Sequence, residues 1–121
     1  MKKIIILILG AVFMVSCGQR YEAKDIVRDF LKEQMVTDDY ALQFGKLDST
    51  YRINDSIMGD LQKRCATDKL FKQPVKLADY KGIKTKLLLS TKIIMKDDTL
   101  RRTFYLDPDL KAKRILAVKE N

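Results

Sequence analysis

The sequence predicts an α+β fold: an N-terminal helix, a curved antiparallel sheet and a second helix. Three observations carry this. Apolar residues recur at helical spacing over residues 21–35. Over residues 40–51 they alternate and then change parity at Gly45. Over residues 83–95 the alternation runs without a break, and a second alternating run follows Asp97-Asp98. One-sided helices and one-sided strands bury their apolar faces against each other in layers.

In the first helix Ala23, Ile26, Val27, Phe30, Leu31, Gln34 and Met35 form one stripe. Lys24, Asp25, Arg28, Asp29 and Lys32 take the other face, and Thr37-Asp38-Asp39 ends the segment. In the next segment Tyr40, Leu42 and Phe44 alternate, Gly45 interrupts, and Leu47, Ser49 and Tyr51 resume on the opposite parity. One extra residue at a glycine makes a β-bulge, which bends the strand. Asn54-Asp55-Ser56 offers three N-caps to a second helix. Its expected stripe is Ile57, Leu61 and Cys65, with Met58 beside them.

The last third reads as a meander of strands over residues 83–95, 99–106 and 114–119, with turns at Asp97-Asp98 and Asp107-Pro108-Asp109. A two-residue turn at Asp97-Asp98 pairs Lys96 with Thr99. Leu89, Thr91, Ile93 and Met95 then face Leu106, Phe104, Arg102 and Leu100 on one side. Arg102 is the one charged residue there, placed to reach solvent at a sheet edge. The other side pairs Ile94 with Arg101, Lys92 with Thr103 and Ser90 with Tyr105.

Ahead of this domain stand Lys2, Lys3 and an uninterrupted run of twelve apolar or small residues, 4–15. A membrane span needs roughly 20 residues; twelve fits the h-region of a secretory signal. Met14-Val15-Ser16-Cys17 resembles a bacterial lipobox, with Met14 where leucine is usual. That resemblance implies cleavage after Ser16 and a diacylglyceryl group on the Cys17 thiol. The expected organisation is a lipoprotein signal peptide at 1–16, a lipidated N-terminus and short tether at 17–21, and one α+β domain at 22–121. The competing reading is an ordinary signal peptide cut elsewhere. Gly18 occupies the place where aspartate retains such proteins in the inner membrane, and Gln19-Arg20 lacks an acidic export run. By resemblance to known lipoprotein sorting signals, the expected location is the cell envelope, at the periplasmic face of the outer membrane.

Losing Lys2 and Lys3 with the leader lowers the formal charge from +8 to +6. Such a balance favours anionic partners, and export argues against nucleic acid. The chain has no histidine, hence no side chain whose ordinary pKa suits a general base near neutrality, and not the commonest zinc ligand. With Cys17 modified, Cys65 has no disulfide partner and is expected to be buried. Asp38-Asp39 and Asp97-Asp98 are explained by turn chemistry, because aspartates bond their own backbone. No catalytic residue, metal site or cofactor is expected.

Tyr80-Lys81-Gly82 before a long strand, and Thr103-Phe104-Tyr105-Leu106-Asp107 before a hairpin turn, resemble small Gram-negative, Bacteroidota-like lipoproteins of cystatin-like or NTF2-like shape. The resemblance implies a helix in the palm of a curved sheet, and no activity. The expected function is non-catalytic binding by a lipid-anchored domain. Lys84, Lys86, Lys92 and Arg101, with Tyr105 and Lys113, would share one sheet face and dock an envelope protein or an anionic surface such as lipid headgroups near the anchor. The bland reading is a solvated face whose lysines block edge pairing. An alternative is an NTF2-like ligand-binding or enzymatic domain using pocket carboxylates, its cavity lined by Tyr40, Phe44, Tyr51 and Phe104.

Overall fold

A computed structural model describes the backbone of residues 2–121 and the side chains of residues 18–121. The lipidation expected at Cys17 and the leader at 1–16 involve side chains outside that range. Helix α1 spans Lys2–Gln34, so the helical backbone starts well before the expected residue 21. Its predicted stripe is the buried one: Ala23, Ile26, Val27, Phe30, Leu31, Gln34 and Met35 are all under 9% exposed. Among the described residues, no helix is long and apolar enough to cross a membrane.

The sheet is an antiparallel meander in the order β1-β2-β3-β4: Ala41–Thr50, Lys86–Ile94, Thr99–Leu106 and Ile115–Glu120. Helix α2, Asp55–Cys65, connects β1 to β2, and the Asn54 side chain caps it by accepting from Ile57 N at 2.9 Å. The bulge falls where the parity change puts it. Phe44 pairs with Thr91 and Leu47 with Leu89, so Gly45 and Lys46 both stand opposite Ser90. A Cβ at Gly45 would meet the Ser90 side chain and carbonyl at 3.3 Å, so a bare glycine suits this approach. Arg20 of α1 donates from Nε to Gly45 O at 3.1 Å and from Nη2 to Phe44 O at 3.3 Å. The helix is thereby pinned to the bulge at the β1 edge.

The β2–β3 hairpin corrects the expected register. Met95 and Asp98 exchange backbone hydrogen bonds around Lys96-Asp97, one residue earlier than the predicted turn, and Ile94 pairs with Thr99. A two-residue shift in pairing keeps every side chain on its face but changes its partner. Ile93 now meets Leu100, Leu89 meets Phe104 and Leu87 meets Leu106. The predicted pairing would have set Phe104 and Leu106 opposite Thr91 and Leu89; the observed one matches apolar with apolar across the core face. Strand β2 also starts later than residue 83, because Lys81-Gly82 forms a turn closed by Ile83 N donating to Tyr80 O at 3.2 Å, with Gly82 at φ +81°, where glycine carries no Cβ penalty.

The main core lies between α1 and the inner sheet face. Phe30 packs edge-on against Phe71 and Phe104, with ring centroids at 5.7 and 6.1 Å. Leu31, Leu89, Ile93 and Leu106 fill the space around them. Phe71 belongs to a segment that clips the end of α1: Met35 bridges Phe71, Val36 N donates to Leu70 O at 3.1 Å, and Lys72 N donates to Gln34 O. A second cluster sits on the outer face, where Met58 and Leu61 of α2 cover Tyr105, Leu116 and Ala117. Ile57, expected on that stripe, is 42% exposed. The buried face of α2 is centred on Met58, Leu61 and Cys65 instead.

Candidate anion-binding face

Helix α2 covers the outer sheet face only toward the Tyr105 end, so the half beyond it is open. Cross-strand register fixes what that half presents. Gln43, Lys92 and Arg101 form one row. Ser90, Thr103 and Lys119 form the next, beside the Gly45 bulge. Thr103 Oγ1 and Asn121 Oδ1 lie 3.0 Å apart, and Asn121 N donates to Arg101 O. A hollow of about 410 Å³ runs between these rows, lined by Gln43, Phe44, Gly45, Ser90, Thr91, Lys92, Arg101 and Asn121. Its lining side chains are cationic or neutral, and none is acidic.

Lys92 and Arg101 therefore stand together as expected, and Lys119 joins them. Lys119 was not among the expected residues, although β4 pairing with Thr103 is the signal that finds it. The other two predicted cations do not belong to this hollow. Lys84 is exposed before β2, and Lys86 is only 2% exposed, with Nζ donating to Ile53 O at 2.7 Å. Both line a different groove at the far end of β2. The expectation that Lys86 points into solvent is thus corrected: the 51–56 segment folds over it. Tyr105 lies under α2 at 4% exposure, where burial pushes its phenol above the ordinary range. Lys113 is on the α1 side, across from Asp25 and Asp29.

No cavity is formed by the expected combination of Tyr40, Phe44, Tyr51 and Phe104. Phe104 is completely buried under Phe30, while Tyr51 is 75% exposed at the opposite end of β1. Phe44 is half-buried beneath Lys24 and Arg28, whose charged groups lie 5.8 and 5.1 Å from its ring centroid. Among the described residues no group of three His, Cys, Asp or Glu side chains is placed to hold a metal ion.

Cys65 is buried, and its thiol donates to Val118 O at 3.2 Å. Burial pushes the thiol above its ordinary pKa, so at neutral pH it is protonated and a poor nucleophile. The expected result is slow labelling by maleimide in the native chain and fast labelling in denaturant. The same burial predicts a pH trend. The unfolded thiol and the unfolded Tyr105 phenol ionise before their folded counterparts. The stability these two groups contribute is full well below the unfolded thiol's range, about pH 8.5, and is lost as pH rises through the thiol and then the phenol range. Rapid native labelling, or stability rising above pH 9, would overturn this placement.

No family model, no curated protein and no solved structure matches the chain.

Proposed function

We propose that the chain is a lipid-anchored, non-catalytic domain of the cell envelope, of the cystatin-like or NTF2-like kind, held through Cys17 at the periplasmic face of the outer membrane. Its open half-sheet rests on anionic lipid headgroups. The observation behind this reading is the hollow lined by Lys92 and Arg101, with no acidic side chain among its lining residues, and the exposed Lys119 on the neighbouring row of the same face. The tether supports it. Cys17 is three residues from Arg20, a chain reach of at most about 11 Å, and Arg20 is bonded to Gly45 at the margin of that hollow. An anchor there brings its own membrane to the basic face.

The test uses the lipidated chain in nanodiscs with Ser90→Cys as a reporter, Cys65 being buried. Each cation near an anionic surface contributes about 1 kcal/mol, so three contribute roughly 3 kcal/mol, or about 100-fold in the docked population. Maleimide labelling of position 90 is therefore slow on phosphatidylglycerol discs and fast on phosphatidylcholine. Added salt, or joint replacement of Lys92, Arg101 and Lys119 by Gln, abolishes the difference. Equal labelling on both lipids refutes headgroup docking and leaves an acidic protein surface as the partner. Intact mass decides separately whether Cys17 carries lipid.

A further inference from the structure

Among the described residues Lys86 is the one lysine that is almost wholly out of water, at 2% exposure. An ammonium has three donors, yet Lys86 Nζ makes a single hydrogen bond among the described residues, to Ile53 O at 2.7 Å. No carboxylate pairs with it among the described residues: the ion pairs there involve Arg28, Arg64, Arg102 and Arg114. Taking a charge out of water without a counter-charge is costly. Folded chains usually supply that partner internally.

Lys86 is one of the residues lining a groove of about 690 Å³, separate from the basic hollow. Ile53 and Ile83 are half-buried in its walls, Tyr51 stands over it at 75% exposure, and Lys84 adds a second cation. Asp55 is the only acid lining it; it is exposed in the first turn of α2 and makes no ion pair with Lys86. Apolar walls with one or two placed polar groups are the ordinary make-up of a small-molecule site. We infer that this groove binds a small organic carboxylate with an apolar tail. The carboxylate takes the free ammonium donors of Lys86, and the tail lies along Ile53, Ile83 and the Tyr51 ring. The inference is independent of headgroup docking, because the two sites share no residue.

The probe is hexanoate, titrated against the full mature chain in phosphatidylcholine nanodiscs and followed by the methyl resonances of Ile53 and Ile83. Saturable shifts of both methyls are expected with hexanoate and not with hexanol at the same concentrations. Lys86→Met, which keeps the length of the stem, weakens binding at least tenfold. Tyr51→Glu changes an exposed position, leaves folding intact, sets a carboxylate at the mouth and weakens binding comparably. Hexanol matching hexanoate, no shift with either, or undiminished binding by Tyr51→Glu would each overturn the inference.

Discussion

Phe71→Ala destabilises the domain by about 3–5 kcal/mol, the usual cost of deleting a buried aromatic ring. Phe71 is 1% exposed, and its ring meets the edge of Phe30 at the centre of the α1–sheet core. Deleting it removes apolar contact and leaves a cavity, because α1 is held from both ends. Arg20 fixes it at the bulge, and the Leu70–Lys72 backbone fixes it at Met35 and Gln34. The helix therefore has little freedom to collapse into the gap. For a domain of this size each kcal/mol lowers Tm by roughly 4–8 °C, so the loss is readable by thermal or urea unfolding. Phe71→Leu retains most of the volume and costs less than half as much. A change below about 1 kcal/mol for Phe71→Ala would show that the 70–72 clip is not part of the cooperative core.

Asp68→Ala produces the second large loss, also about 3–5 kcal/mol, because it strands a buried charge. Arg102 stands on the inner sheet face opposite Thr91 and is 8% exposed. Its Nε lies 3.6 Å from Asp68 Oδ2, an ion pair too long for a hydrogen bond, and Nη2 lies 3.8 Å from Glu120. Nη1 donates to Arg101 O at 3.2 Å. Asp68 is equally enclosed, with Oδ1 accepting from Leu70 N at 3.0 Å. Glu120 is mostly exposed and replaces little of what Asp68 supplies. Adding Arg102→Leu to Asp68→Ala removes the stranded guanidinium and recovers much of the stability. That recovery separates a charge effect from simple loss of the Leu70 bond. Urea unfolding of the two variants decides: equal stability of the single and double variants would mean Arg102 is hydrated.

Arg102 also shows where sequence reading stops. Alternation placed it on the apolar side, which is correct, and suggested escape to solvent at a sheet edge. The chain instead brings Asp68 to it from the loop after α2, and nothing between residues 68 and 102 announces that meeting. Phe71 has the same character. It sits between Leu70 and Lys72 with no periodic neighbours, so no local pattern marks it as core. Its burial comes from a backbone bridge to Met35, 36 residues earlier. Lys86 was assigned to solvent by parity. Parity was right about the face, but the 51–56 segment covers that face.

What the sequence determined by itself was which side of each element is apolar. The α1 stripe, the bend at Gly45 and the two faces of β2 and β3 all follow from it, because side-chain direction repeats with backbone period. Even the two-residue slip in the hairpin left those faces unchanged, since strand direction repeats every second residue. Only the tertiary structure decided what lies against each face: α2 over Tyr105, Phe71 under Phe30, Asp68 beside Arg102, and open sheet at Lys92, Arg101 and Lys119. Periodicity is a property of neighbours along the chain, whereas burial depends on segments that meet across it. The open half of the outer sheet face is the part that no apolar segment of this chain closes off, and the groove at Lys86 lies where the 51–56 segment folds over the rest.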